Sequence, residues 1–331
     1  MKKIAVVILN WNGKSLLEKF LPSVTQFSDL ATIYVIDNAS TDESNSFLLE
    51  NYPAVKIIRN DGNYGFAKGY NLGLKDIQEE YLALINSDIE VTENWLQPII
   101  DLFETSEETC IIQPKILDYK KKTHFEYAGA AGGFIDKYGY PFCRGRIFET
   151  IEEDNGQYDD ESQIFWASGA CFFIRNKTFK MLNGFDEDFF AHQEEIDLCW
   201  RAFNLDCRIF YTYKSVVYHI GGATLGATNP HKTFLNFRNS LAMLVKNLPA
   251  NKILPVILSR MLLDGLAFFK FIFDGNFLHG FSILKAHFYF YIHIGSNFKK
   301  RSNSLKTSYY KVKSVVYQHF LKKIYSYKNL L

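Results

Sequence analysis

Three short apolar runs early in the chain stop at an acid or an asparagine: IAVVILN (4–10), IYVID (33–37) and YLALINSD (81–88). With VKII (55–58) they have the length and the Val/Ile content of buried strands. The stretches between them are helical in period. Lys14–Phe27 carries Leu16, Leu17, Phe20, Leu21 and Val24 at helical spacing. In ASTDES (39–44), Ser40, Thr41 or Asp42 can cap a helix whose apolar side uses Phe47, Leu48 and Leu49. NDGNYG (60–65) reads as a turn before a helix from about Phe66 to Lys75. This alternation predicts an α/β fold of right-handed βαβ units around a mostly parallel sheet.

The pattern then changes. Residues 115–165 are rich in Gly, Tyr and charge and predict an irregular insertion with room for a hairpin, the kind of segment that rims an active site. FWASGACFFIR (165–175) predicts a returning strand, followed by a helix near Lys177–Leu182 and another over Glu194–Asn204. RIFYTY (208–213) and SVVYHI (215–220) predict two closing strands. From about 232 the chain reads as helices. ILPVILSRMLLDGLAFFKFIF (253–273) is strongly apolar, but Arg260, Asp264 and Lys270 interrupt it. A spanning helix needs about 20 predominantly apolar residues, so the reading preferred is an interfacial helix bundle, basic and aromatic residues being interleaved through 285–328. A helical subdomain packed on the core, with a solvated basic face, is the plainer reading.

Charge sharpens that division. The net +1 of the chain hides 21 Lys+Arg against 34 Asp+Glu in residues 1–231, a balance of −13, and +14 in residues 232–331. An acidic body and a basic tail suit different partners. Five cysteines without a CxxC pair predict free thiols in a reducing compartment. The N-terminal apolar run, about six residues long, is too short for a signal peptide and reads as a first strand.

A buried strand needs no acid at its end, whereas the carboxyl edge of an open α/β sheet is where such sheets bind ligands. Asp37, Asp42 and Asp88 fall at that edge, and Glu194, Glu195 and Asp197 cluster at a helix start. Acids gathered without many basic partners point to a divalent metal and a phosphorylated ligand. Plainer roles stand beside this. Asp42 can be a helix cap, and helix-start acids are favoured by the macrodipole.

VVILNWNG (6–13), VIDNASTD (35–42), NYGFAKGYNLGL (63–74), NSD (86–88), SGACFFIR…GFDEDFF…EEIDLCWR (168–201) and VYHIGGAT (217–224) occur in that order. Together they resemble glycosyltransferase family 2, inverting nucleotide-sugar enzymes with a GT-A fold, and within it the bacterial rhamnosyltransferase-like branch of cell-surface polysaccharide synthesis. The resemblance covers about residues 3–240. With the charge split, it implies a catalytic domain over 1–231 and a basic, aromatic, mainly helical region over 232–331.

The resemblance places Asn10, Asn12, Asp37, Asn38, Asp42, Asn63, Gly65, Asn71, Asn86 and Ser87 around the donor. Asp88 occupies the metal position of a motif usually written with two acids, the first being Asn86 here, and His219 is the second implied ligand. That N/O pair suits Mn²⁺ or Mg²⁺. Glu195 is implied as general base, one methylene longer than the customary Asp, with Glu194 as the alternative. Trp166 to Ala170, including Gly169, and Gly184 to Phe190, including Asp186, would line the acceptor side with Asp197, and Arg201 would pair with or support the acids.

The implied reaction moves a sugar, rhamnose from dTDP-rhamnose or else a UDP-hexose, to a lipid-linked glycan acceptor. It would take place on the cytoplasmic face of a membrane, with the enzyme peripheral on anionic lipid. Two rivals come from other classes. A metal-dependent nucleotidyltransferase would need an Arg/Lys-rich loop after the first strand, and Asn10-Trp11-Asn12-Gly13 lacks one. A non-catalytic membrane-surface protein would bind sugar or nucleic acid through the tail alone, yet a nucleic-acid site would not collect acids.

Overall fold

A computed structural model describes residues 2–221, 229–302 and 305–331. The first strands are β1 (Ile4–Asn10), β2 (Ala31–Asn38), β3 (Lys56–Asn60) and β4 (Tyr81–Asn86). Helices α1 (Lys14–Phe27), α2 (Ser44–Asn51) and α3 (Gly65–Gly73) connect them. β1 and β4 are apolar throughout because both faces are covered. β1 pairs in parallel with β2 and β4, and β2 pairs in parallel with β3. The register sets Asn10 beside Asp37, Asn38 beside Asn60 and Leu9 beside Asn86. One carboxyl edge therefore collects the polar strand ends. In α2 the apolar side is narrower than expected, since Leu48 is buried but Leu49 is 60% exposed.

Next come β5 (Ile89–Val91), α4 (Gln97–Thr105) and β6 (Thr109–Asp118). β6 is almost entirely buried and overturns the reading of 115–118 as irregular insertion. Gln113, Pro114 and Lys115 break its apolar pattern, but each is accommodated. Gln113 donates to the Gly129 carbonyl (3.0 Å) and accepts from the Ser168 amide (2.8 Å). Lys115 meets Asp154 at 2.7 Å. Pro114 lies where the ladder with the last strand shifts register.

The insertion proper follows Asp118. It is ordered into a small antiparallel sheet of β7 (Gly133–Ile135), β8 (Pro141–Cys143), β9 (Arg146–Ile147) and β10 (Thr150–Ile151). After β11 (Glu161–Ile164), the expected strand over 165–175 is realised only as β12 (Cys171–Arg175). Residues 165–170 are instead a buried crossing, tied by the Gly133–Trp166 bridge. Then follow α5 (Asn176–Met181), a 3₁₀ turn (Glu187–Phe189), α6 (Glu194–Asn204) and β13 (Arg208–His219). β13 replaces the two expected strands by one that carries an irregularity. The main sheet runs β11-β13-β6-β12-β4-β1-β2-β3, with β5 on β13. β12 is antiparallel to β4 and β6, and β13 is parallel to β6. Hence β1–β4, β6 and β13 share one direction, and the sheet is mostly parallel.

The C-terminal region holds α7 (Pro230–Asn247), α8 (Ala250–Phe273), α9 (Phe277–Ile292) and α10 (Ile294–Lys299). Beyond Lys299 the expected helices give way to irregular chain with one π turn (Tyr317–Leu321). Its backbone donors go to the insertion instead: Lys311 to the Ile135 carbonyl, Val315 to Asp136 and Tyr327 to Glu152, each at 3.0 Å. Leu82 and Leu198 share one apolar cluster with Leu241, Val256, Phe290 and Tyr327, so this region packs directly on the α/β core. Among the described residues, no helix is long and apolar enough to cross a membrane.

Candidate active site

At the carboxyl edge, Asp37 Oδ2 accepts from the Ser40 amide (3.0 Å) and from Asn45 (2.9 Å), and Oδ1 faces the Asn10 amide at 3.2 Å. Asn10 Oδ1 is buried and without a partner among the described residues. A buried acceptor left open is costly unless a ligand meets it. Asn12, with φ at +49°, accepts from the Thr41 amide at 2.7 Å and joins the two edge loops. Glu43, not Asp42, is the N-cap of α2, and Asp42 one residue earlier accepts from the Lys14 and Ser44 amides at 3.0 Å. Burial opposes its charge, yet these donors hold its carboxyl below the usual range.

Asn38 spans from the Gly65 carbonyl (2.9 Å) to Asn60 (2.6 Å) and so pins the start of α3. Gly65 must be glycine. Its φ is +71°, and a Cβ there would stand 2.6 Å from the Phe190 ring. Asn63 only closes that turn, accepting from the Gly65 amide. Asn71 departs from its donor-side expectation. Its amide grips both polar atoms of the Phe185 backbone at 2.9 Å, because α3 turns that face toward the 184–187 loop.

Asp88 follows β4, past Asn86 and the half-buried Ser87. Its Oδ1 lies 3.1 Å from His219 Nε2, and Asn86 Nδ2 lies 3.4 Å from the same nitrogen. On the far side of the ring, Glu126 Oε1 lies 3.2 Å from Nδ1. Burial works against a charged imidazole, but Glu126 and Asp88 outweigh it and carry His219 to about 10. Glu126, buried in the insertion, has no motif to announce it. Gly221 (φ +70°) lets the chain pass it, since a Cβ would stand 2.9 Å from Glu126 Oε1. The rest of that motif, Gly222 to Thr224, lies outside the described residues. Among the described residues, no group of three or more His, Cys, Asp or Glu is arranged to hold a metal. Asp88 Oδ1 and His219 Nε2 converge at the sheet edge, and a hard cation drawing its other ligands from phosphate and water would fit there by displacing the proton between them. Glu126 would orient the imidazole from behind.

Glu194 and Glu195 open α6 behind a strained loop in which Phe190, His192 and Gln193 have φ of +62°, +69° and +72°. α7 holds this loop, with buried Asn239 donating to the carbonyls of Phe189 (3.0 Å), Ala191 (2.9 Å) and His192 (2.7 Å). On the other side, the Phe190 carbonyl accepts from the Phe66 amide of α3 at 2.8 Å. Burial pushes Glu195 up to about 7 against the pull of nearby amides, including those of Ile196 and Gly169. Burial and the adjacent Glu195 push Glu194 well above the usual carboxylate range. Oε2 of each carboxyl has no hydrogen-bond partner among the described residues. A Cβ on Gly169 would touch both Phe66 (3.5 Å) and the Glu195 carboxyl (3.6 Å). The next carbonyl, that of Ala170, accepts from the Asn86 amide at 2.9 Å. Glu195, Gly169 and the β4 end carrying Asp88 are thus linked along one edge.

Three acceptor-side expectations are corrected. Asp197 is fully buried, bound to Lys246, Arg201 and Asn247 at 2.8 Å each. Burial opposes its charge, but the two cations hold it ionised. Arg201 does pair with it, and also takes the Leu182 and Gly184 carbonyls. Asp186 is held by Lys246 (2.6 Å) and Lys300 (2.5 Å), which outweigh burial and lower it to about 2. Trp166 is core. Its indole donates to the Phe134 carbonyl at 2.9 Å, and its ring fills the space beside Gly133.

The family model for Glycosyl transferase family 2 matches residues 5–182. The low-salt glycan biosynthesis hexosyltransferase of Haloferax volcanii is 22% identical over 206 residues, 60% of this chain and 61% of its own length. The N-acetylglucosaminyl-diphospho-decaprenol L-rhamnosyltransferase of Mycobacterium tuberculosis is 22% identical over 214 residues, 59% of this chain and 68% of its own. Among solved structures, GalNAc-T7 with UDP, GalNAc and Mn²⁺ superposes with a TM-score of 0.60 at 17% identity, over 76% of this chain and 49% of that one. The mostly parallel sheet flanked by helices is a GT-A-like glycosyltransferase fold. The chain belongs to glycosyl transferase family 2.

Proposed function

We propose that this protein is an inverting glycosyltransferase that moves a sugar, rhamnose foremost, from a nucleoside diphosphate to a hydroxyl of a lipid-linked glycan. The observation that carries this reading is the single edge joining Asp37, Asp88 and Glu195. Asp37 and the open Asn10 Oδ1 receive the nucleoside, while Asn86 and Ser87 border its phosphates. Glu195 takes the acceptor proton as the hydroxyl attacks the anomeric carbon. Gly169 leaves room beside that carboxyl, and Asn239 keeps its loop in place. Asp88 and His219 would hold a divalent cation, which when bound offsets the charge of the diphosphate leaving group. The rhamnosyl and decaprenol-linked chemistry named for the mycobacterial relative supports the choice of donor and acceptor.

Residues 1–231 would carry the chemistry and 232–331 would dock it on an anionic membrane surface at the cytoplasmic face. The outer side of α8 supports this, with Leu254, Leu258, Leu262, Leu266 and Phe273 each more than half exposed. The test is release of nucleoside diphosphate from dTDP-rhamnose and UDP-hexoses, with and without EDTA. Asp88→Asn is expected to keep the fold and lose most metal-dependent transfer. Unchanged turnover at saturating Mg²⁺ or Mn²⁺ would defeat the assignment.

A further inference from the structure

A cavity of about 290 Å³ is walled by the Glu187–Phe189 turn, α7, α9 and the start of α10. Its polar groups are mostly donors. Arg238 Nη2 donates to the Asp188 and Phe189 carbonyls (2.9 and 3.0 Å) and Nε to Asn239, leaving Nη1 without a partner among the described residues. Asn297 is only 7% exposed, yet its amide has no partner among the described residues, nor has the Ser296 hydroxyl. His293 donates Nδ1–H to the Tyr289 carbonyl at 2.8 Å and so adds no donor to the cavity in its neutral form. The one acid in the wall, Asp188, is paired with Lys300 at 2.6 Å. The cavity stays open to solvent, with Ser296 and His293 exposed, so a ligand can reach these groups from outside. A surplus of donors with a guanidinium suits a phosphate group.

Position narrows the choice. The wall turn runs directly into the loop that carries Glu195. α9, which supplies Tyr289 and Phe290 to the cavity, presents Phe281, Leu284, Phe288 and Ile292 to the outside. The cavity therefore lies between the base-bearing loop and an exposed apolar helix face. In a glycan on a lipid diphosphate, the phosphates lie between the reacting sugar and the hydrocarbon. We infer that this cavity binds the diphosphate of the lipid-linked acceptor, a subsite separate from the donor's. The inference rests on the acceptor reading above and adds the group that is recognised.

The test uses the full chain and farnesyl diphosphate as probe, by titration calorimetry without metal. Asn297→Asp exchanges an amide for a carboxylate of the same shape, and Ser296→Asp adds a second negative charge at an exposed position. Each is expected to weaken farnesyl diphosphate at least tenfold, with Ser296→Asn close to wild type. UDP binding with Mn²⁺ should stay unchanged in all three, which also reports that they fold. Unchanged farnesyl diphosphate affinity in both Asp variants, or farnesol binding as tightly as its diphosphate, would overturn the assignment. So would loss of flotation on anionic vesicles with farnesyl diphosphate binding intact, because the cavity would then serve a phospholipid headgroup. Nucleotide-sugar hydrolysis is read in parallel. If it persists while diphosphate binding fails, only the subsite falls. If it is absent, the glycosyl-transfer reading falls and takes the subsite with it.

Discussion

Glu194 and Glu195 are chemically identical neighbours given different surroundings. Glu194 is buried beside a second carboxyl, so its neutral form is favoured. Glu195 is half-buried, touches Gly169 and titrates near 7, where a general base is most useful. Glu195→Gln is therefore expected to lower turnover by roughly 10²–10⁴ with donor KM unchanged. Glu194→Gln replaces one neutral side chain by another and should cost less than about tenfold. The reverse order of effects in steady-state kinetics would move the base to Glu194. The pH dependence has a definite sign. A base acts ionised, so wild-type turnover should climb as pH rises through about 7, and that limb should vanish in Glu195→Gln.

At the scale of the element, α8 is inverted relative to a water-soluble helix. Its central ion pair, Arg260 and Asp264, faces inward and Leu254, Leu258, Leu262 and Leu266 face outward, while Lys252 and Lys270 are exposed. Arg260 and Asp264 are 2% and 0% exposed and lie 3.1 Å apart. Asp264 also receives Tyr140 (2.7 Å) and meets His287 at 3.0 Å, while Arg260 reaches the Tyr138 carbonyl (3.1 Å) and Ser240 (2.8 Å). Two of the three residues that interrupt the apolar run in sequence, Arg260 and Asp264, thus fasten the helix to α7, α9 and the insertion, while the third, Lys270, is exposed and pairs with Asp274. Asp264→Ala leaves a buried guanidinium without its counter-charge and is expected to cost about 3–5 kcal/mol in urea unfolding. Leu262→Gln, on the outer side, should change stability by less than about 0.5 kcal/mol. Equal losses for the two would refute the inverted orientation.

Across the whole molecule, the acidic body and basic tail are packed together and share ion pairs. Lys246, Lys300 and Lys306 reach Asp197, Asp186 and Asp206 in the body. Lys252, Lys270 and Lys285 are exposed on the same two helices, α8 and α9, that carry the exposed apolar side chains. The protein is accordingly expected to float with anionic vesicles and to bind less as salt rises, since screening shortens the reach of the charges. A residual fraction should survive high salt, held by the apolar side chains. Equal flotation on neutral and anionic vesicles, or none on either, would assign this face to protein contacts instead.

The sequence alone determined the parallel half of the sheet, the helices between its strands and the polar strand ends. Each is written in local periodicity, and the burial of β1, β2 and β4 simply executes that pattern. It also placed Asp37 and Asp88 at strand ends and the Glu194–Asp197 acids at a helix start, while the roles given to Glu195 and His219 came only through the family resemblance. Tertiary structure decided the rest. β6 was hidden because Gln113, Pro114 and Lys115 look unfit for a central strand until partners from residues 129, 154 and 168 satisfy them. Glu126 and Asn239 carry no local signal, since each acts on a group about 50 or more residues away. Asp186 and Asp197, plausible as site acids in a linear reading, are neutralised by Lys246 of α7 and become structural. Which acids stay free for chemistry depends on where distant cations fall once the chain is packed, and only the folded arrangement specifies that.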